Sequence, residues 1–285
     1  MAEPVVRWMF HSTAMVPDYD LARDRLALLA GLSVLEYSDN PQPEIGRRGG
    51  MCWIGDNAIE LGQPTVEGGG AARFVSRTGG GVHSVAVQVT DIEAAIGHVE
   101  ASGVAVAARP MPVMIFTDPR QTDGVFVEWS AFEVDVDPHF GAPVPPFQIE
   151  PLVDVVHHAF VGAVVANPVA SAKRLAALFG QPVTFERTDA APGEPVTGVS
   201  LGDCTLALFP LPTAASAALW GQDHPRARCH LVALRVEELP GAPVLEGAGF
   251  TTVRRTDSMV VLDPRTTGGV QVALVDALLP GDPRS

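Results

Sequence analysis

Three kinds of signal are missing from this 285-residue chain, and each absence removes a class of function. No apolar run approaches the roughly 18–20 residues that cross a bilayer as a helix. The opening Met1-Ala2-Glu3-Pro4 lacks the basic-then-apolar pattern of a secretory leader. Together these predict a soluble, cytoplasmic protein. Basic charge is also scarce: 19 Lys and Arg stand against 33 Asp and Glu, for a formal net charge of −14 and a pI of about 4.9. Such a surface repels phosphate backbones and anionic lipid, so neither nucleic acid nor membrane is expected as a partner. Arg47-Arg48 is the one evident basic patch. Finally, the three cysteines, Cys52, Cys204 and Cys229, are odd in number and form no CxxC pair. They read as buried structural thiols in a reducing compartment.

What is present is apolar and patterned. Hydrophobic residues make up 47% of the chain and the mean hydropathy is +0.20, enough for a packed core. The length suits two domains of ordinary size, or one large one. Val5–Val16 alternates like a strand, and Asp18 caps a helix whose Leu21, Arg25, Leu28 and Leu29 hold helical spacing up to Gly31. Strands are expected at Ser33–Tyr37, around Gly50–Ile54 and at Ala58–Leu61, giving the order β-α-β-β-β. A Gly-rich loop over Pro64–Gly80 then leads through Gly79-Gly80-Gly81 into an alternating strand, Val82–Val89. Asp91 caps a helix over Ile92–Ser102, and a hairpin follows at Val113–Thr117 and Val125–Trp129. Pro138, Pro143, Pro145, Pro146 and Pro151 make 135–151 a semi-rigid, extended linker.

The second half repeats this plan. Val155–Val165 is a strand, Asn167 a cap, and Val169–Phe179 a helix ended by Gly180. Asp203 follows Asp56 by 147 positions, His230 follows His83 by 147, and Asp263-Pro264-Arg265 follows Asp118-Pro119-Arg120 by 145. A nearly constant offset marks an internal duplication. Asp18 and Asp91, 73 apart, nest a shorter repeat inside the first half. The expected fold class is α+β, with four β-α-β-β-β modules in two tandem domains, 1–134 and 152–285. Arg120 and Arg265 recur in both halves and are expected to fix turns.

These units resemble the vicinal oxygen chelate superfamily, which includes glyoxalase I, methylmalonyl-CoA epimerase, extradiol dioxygenases and bleomycin-resistance proteins. The pieces that carry the resemblance are His11…Val16-Pro17-Asp18, Gly81-Val82-His83-Ser84…Asp91-Ile92, and Phe116-Thr117-Asp118-Pro119-Arg120…Gly124-Val125-Phe126-Val127-Glu128. The last is closest to the epimerase and glyoxalase branch. The resemblance implies glyoxalase-like curved sheets, each closing into a cup that holds a divalent metal on first- and last-strand residues. In this sequence those positions are His11, Glu60 and Glu128, with Ser84 where the family usually has His.

Strand alternation gives an independent register. Met9, His11 and Thr13 share a face, as do Ala58 with Glu60, Ser84 with Ala86 and Gln88, and Phe126 with Glu128 and Ser130. His83 falls on the opposite face with Val85 and Val87, unless a bulge at Gly79–Gly81 turns it inward as a fourth ligand. The matching positions of the second half are Phe160, Ala207, Leu231 and Ala273, all apolar, so that half is expected to keep the fold without the metal site. His158 shares parity with Phe160 and so could face the second cup, but no acid accompanies it, and His157 and His158 read as interface or core residues.

One His and two carboxylates are a hard donor set that suits Zn, Ni, Co, Mn, Mg or Fe. The resemblance implies a metal-dependent lyase or isomerase acting on a small molecule with vicinal oxygens through an enediolate. Glu128 or Glu60 would be both ligand and base, and Gln88 and Ser84 would contact substrate. An Fe(II) extradiol-type dioxygenase and a metal-free, bleomycin-resistance-like binder are the alternatives. A monomer or homodimer is expected.

Overall fold

The computed structural model describes residues 5–36, 46–143, 149–187, 196–211 and 228–284. The first module comprises β1 (Trp8–Met15), α1 (Tyr19–Ala30), β2 (Ser33–Glu36), β3 (Arg47–Ile54) and β4 (Asn57–Pro64). A helix, α2 (Gly70–Thr78), separates it from the second module: β5 (Gly81–Gln88), α3 (Ile92–Ala101), β6 (Val106–Met111), β7 (Met114–Thr117) and β8 (Val127–Ser130). The third is β9 (Val155–Val165), α4 (Pro168–Phe179), β10 (Val183–Arg187), β11 (Val196–Ser200) and β12 (Thr205–Pro210). The fourth is β13 (Arg228–Val236), α5 (Ala242–Gly247), β14 (Thr252–Arg255), β15 (Met259–Leu262) and β16 (Val272–Val275).

The caps act as the sequence implies. Asp18 accepts from the Leu21 N–H, Asp91 from Glu93 and Ala94, and Asn167 from Ala170. The fourth module departs, since Gly241 precedes α5 with no side-chain cap. The expected loop over Pro64–Gly80 instead contains α2. Ala71, Phe74, Val75 and Thr78 hold helical spacing opposite Arg73 and Arg77, but over only nine residues between two glycine triplets, which as a sequence read as a loop; the helix buries only Phe74. Within 135–151, Pro138–Phe140 forms a single 3-10 turn; residues 144–148 lie outside the described residues, as does Tyr37 at the end of β2.

Each half folds into one eight-stranded mixed sheet, with matching orders β2-β3-β4-β1-β5-β8-β7-β6 and β10-β11-β12-β9-β13-β16-β15-β14. In both, the first strands of the two modules pair antiparallel at the centre. One face of each sheet packs on helices, and the other closes into a cup. The helix-side core is continuous across the halves, running from Val6 and Leu26 to Val232 and Phe250.

The continuity has a symmetric cause. Arg25 on α1 donates to the carbonyls of Thr266, Ala248 and Gly249 in the second half, and its guanidinium lies 4.0 Å from the Phe250 ring centre. Arg174 on α4, 149 residues later, donates to Asp123 in the first half. Each helix thus rests on the last hairpin loop of the opposite half. Gly268, which matches Asp123 in the repeat, has φ of 70°, and a Cβ there would lie 2.3 Å from Ala22 Cα. Arg120 and Arg265 each fold back onto the aspartate two residues earlier.

The stretch after the first sheet is tied to the second half by charge. His139 donates from Nδ1 to Asp137 Oδ1 at 2.8 Å and from Nε2 to Asp203 Oδ2 at 2.9 Å, and its ring stacks on Trp8 at 4.9 Å. Burial disfavours the charged ring, but hydrogen bonds to Asp137 and Asp203 outweigh it and raise its pKa to about 9. A pKa raised on folding adds stability below the unfolded value of 6.5 that is lost as pH climbs through 9. Chemical denaturation of wild type and His139→Gln between pH 6 and 10 should show a stability difference that is greatest near pH 6 and shrinks across that window. A difference independent of pH would refute the ionic role.

Candidate metal centre

The site grows out of the register of four neighbouring strands. His11 on β1 pairs with Ala58 on β4 and with Ala86 on β5. Two methyl-sized neighbours leave the imidazole room above the sheet. Glu60 sits two residues beyond Ala58, opposite Thr13, and Glu128 on β8 stands directly across from Ala86. Residues opposite one another, or two apart on a strand, share a face. All three side chains therefore project to the same side. A donor atom from each lies within 4.8 Å of the others. His11 Nε2 is 3.2 Å from Glu60 Oε2 and 3.8 Å from Glu128 Oε1.

The electrostatics of the two acids differ sharply. Arg47 Nη2 donates to Glu60 Oε2 at 2.5 Å, and Thr13 Oγ1 donates to the same oxygen at 3.2 Å. Burial works to raise the Glu60 pKa, but Arg47 and His11 hold it down at about 2. Glu128 is fully buried, and neither of its oxygens has a hydrogen bond. Burial raises its pKa, against the pull of His11. Burial also opposes charging His11, yet Glu128 and Glu60 together raise its pKa. Neither His11 nitrogen makes a hydrogen bond.

Unbonded polar atoms in a dry site cost roughly 1–3 kcal/mol each, more where charged. A divalent cation among these three side chains would satisfy the Glu128 oxygens and one His11 nitrogen together. One nitrogen and two carboxylates fit Mg, Mn, Fe(II), Co, Ni or Zn. Among the described residues this is the one such His/Cys/Asp/Glu group.

Three bulges correct the simple alternation. The β1–β5 register passes from Met9 opposite Val87 to His11 opposite Ala86, leaving Phe10 unpaired. Met9 therefore joins the helix-side core, and Phe10 joins the cup wall with Met51 and Trp53. A second bulge leaves His83 unpaired between Ser84, opposite Thr13, and Val82, opposite Ala14. Val82 and Val85 enter the core, and His83 is released from their face. The bulge lies at His83 itself, not at Gly79–Gly81. His83 packs edge-on between Phe74 and Phe126, at 4.8 and 5.0 Å. Burial, with Arg47 and Arg228 nearby, drops its pKa to about 3. It is not among the converging side chains. Ser84 is buried, with its hydroxyl 3.4 Å from His83 Nδ1. Gln88 is buried on the cup face, its carbonyl oxygen unbonded.

The third bulge is at Ala159. It breaks the parity between His158 and Phe160. His158 lies opposite Leu234, a core residue, so it faces the helices and not the second cup. Burial lowers its pKa to about 3. His157, half-buried beside it, also has a lowered pKa through burial and Arg284. Phe160, Ala207, Leu231 and Ala273 share one apolar cluster, with Leu278 and Leu279 of the C-terminal segment packed against it.

Arg47 was visible in the sequence only as half of a basic pair. Starting β3 at Arg47 puts 47, 49, 51 and 53 on one face, and Met51 is opposite Glu60. Gly62 makes the space, since a Cβ there would lie 2.8 Å from Arg47 Cδ.

Residues 10–117 match the profile of the Glyoxalase/Bleomycin resistance protein/Dioxygenase superfamily. No curated protein sequence matches the chain. A triple mutant of 4-hydroxymandelate synthase from Streptomyces coelicolor superposes with a TM-score of 0.62 at 12% identity, covering 98% of this chain and 95% of that one. The Mn(II)-bound glyoxalase from Novosphingobium aromaticivorans gives 0.62 at 16%, over 99% and 86%. Methylmalonyl-CoA epimerase from Mycobacterium tuberculosis is 22% identical over 46% of this chain and 91% of its own, with a TM-score of 0.42. The sequence match is thus to the glyoxalase/bleomycin resistance protein/dioxygenase superfamily over residues 10–117, and the fold of the whole chain is similar to that of the synthase and the glyoxalase.

Proposed function

We propose that the first cup is the active site of a metal-dependent lyase or isomerase acting on a small molecule with neighbouring oxygens. The observation that carries this reading is the convergence of His11, Glu60 and Glu128 with the Glu128 oxygens unbonded. A divalent cation held by these three would supply Lewis-acid stabilisation of negative charge developing on the substrate oxygens. The residues then divide the work. Glu60, fixed by Arg47 and Thr13, stays ionised and in place. Glu128, free of hydrogen bonds and with its pKa raised by burial, is the group that takes a proton from carbon and returns it. Gln88 offers its side-chain amide to a substrate oxygen. Phe10, Met51 and Trp53 form an apolar wall that keeps water from the transferred proton.

The extradiol alternative is weaker because that chemistry uses two His and one carboxylate, and His83 sits between two phenylalanines outside the group. A metal-free binder is weaker because it would have no use for two buried acids beside an imidazole. The Mn(II)-bound glyoxalase among the structural neighbours also favours a metal enzyme.

Metal analysis and Co(II) titration of purified protein should give one equivalent per chain. His11→Ala, Glu60→Gln and Glu128→Gln should each weaken binding by more than the ~10–100-fold typical of losing an outer-shell partner. Glu128→Gln should also abolish turnover in a panel of α-oxygenated carbonyl compounds. A wild-type protein that takes up no metal, or full activity after chelation, would sink the reading.

Arg47→Met leaves Glu60 as a buried charge without its cation. Urea unfolding of the metal-free variant should show a loss of about 3–5 kcal/mol. Saturating Co(II) should recover part of that loss, because a cation in the cup replaces the missing positive charge. An equal loss with and without Co(II) would mean the ion does not touch Glu60.

A further inference from the structure

The converging side chains are sealed from solvent: His11 and Glu60 are 3% exposed, Gln88 2% and Glu128 0%. Any molecule that reaches them must first displace part of the wall. α2 is the element of the first half best suited to move. It buries one side chain, Phe74, against five in α1 and three in α3. A nine-residue helix is too short to be stable without tertiary packing, and Gly69 provides no side-chain cap.

Glycine triplets bracket it, Gly68-Gly69-Gly70 before and Gly79-Gly80-Gly81 after. Gly68 and Gly79 have φ of 69° and 76°, and a Cβ at either would meet nothing within 4 Å. No side chain restrains the backbone there; what holds the two positions is the Gly79 N–H donating to the Val75 carbonyl at 2.8 Å and the Arg73 guanidinium donating to the Gly68 carbonyl, both bonds made within the α2 segment itself. The point of attachment leads straight to the cluster. The Phe74 ring meets His83 edge-on at 4.8 Å, and the Arg228 guanidinium lies 5.4 Å from its centre. His83 touches Ser84, Ser84 is opposite Thr13, and Thr13 donates to Glu60.

We propose that α2 is a hinged gate over the first cup, swinging on the two glycine triplets with Phe74 as the latch seated on His83 and Arg228. The role as a substrate gate rests on reading that cup as the active site. Opening lifts Phe74 off His83 and uncovers the route past Ser84 and Thr13 to Glu60. It is a local event, so it leaves the sheet intact.

Two measurements test it. In native-state hydrogen exchange of the wild-type protein, amides 70–78 should exchange faster than those of β1, β4 and β5, with little dependence on sub-denaturing urea. If they share the strands' denaturant dependence, α2 opens only on global unfolding and the gate is refuted. In stopped-flow Co(II) loading, Phe74→Ala should speed both uptake and release by at least about tenfold, since Phe→Ala truncation removes the packing that holds the latch, and Phe74→Leu should restore slow loading. Rates equal within twofold for wild type and Phe74→Ala overturn the latch. If the wild-type protein takes up no Co(II), the metal reading fails separately, and the exchange result alone decides the gate.

Discussion

The constraint behind the first cup is charge neutrality in a dry place. Two carboxylates, Glu60 and Glu128, lie within a few ångströms of each other with almost no exposure. An ionised group taken from water costs several kcal/mol even after relaxation, unless a partner offsets it. Arg47 offsets one acid, which is why Glu60 titrates so low. The other has only His11, and the two respond together: the imidazole holds its proton more tightly and the carboxyl is harder to ionise. A divalent cation removes that compromise. Under the proposed metal reading it would let His11 bind as the neutral base and Glu128 as the anion, relieving both shifts together.

The second cup shows what the same frame becomes when the constraint is lifted. Phe160, Ala207, Leu231 and Ala273 stand where His11, Glu60, Ser84 and Glu128 stand in the first. They pack with Val261, Ala233 and the segment carrying Leu278 and Leu279. Filling a cup this way stabilises the fold at roughly 25 cal/mol per Å² of apolar area buried. The first cup forgoes that gain, and the continuous core shared by the two halves makes the sacrifice tolerable.

Much of this was legible in the residues. The duplication, three of four helix caps and the shared face of Glu60 and Glu128 follow from spacing and alternation, because those depend on local chemistry and on the two-residue period of a strand. His11 and Thr13 share a face as alternation implies, but Met9 does not, since a bulge adds one residue without any mark in composition. The same blindness put His83 on the helix face and left open a cup-facing His158, which the bulge at Ala159 turns into the core. α2 escaped because its two turns of helical spacing lie between glycine triplets that mark a loop. Arg47 escaped because its strand begins three residues before the stretch where alternation is evident, across two glycines with no side chains to alternate.

The bulges also separate scaffold from chemistry. The one at Phe10 recurs at Ala159, and the one at His83 recurs at His230, 147 residues on. Both halves carry them, and among the described residues only the first brings a histidine and two acids together in one group. The bulges are therefore a property of the fold: the one on the first strand brings the next residue to the cup face, whether that residue is His11 or Phe160. A histidine sits at the second bulge in both halves, beside a polar cup and beside an apolar one. That symmetry ties His83 to the bulge that both halves share, and under the proposed metal reading the ligands are the three side chains that the duplication did not preserve.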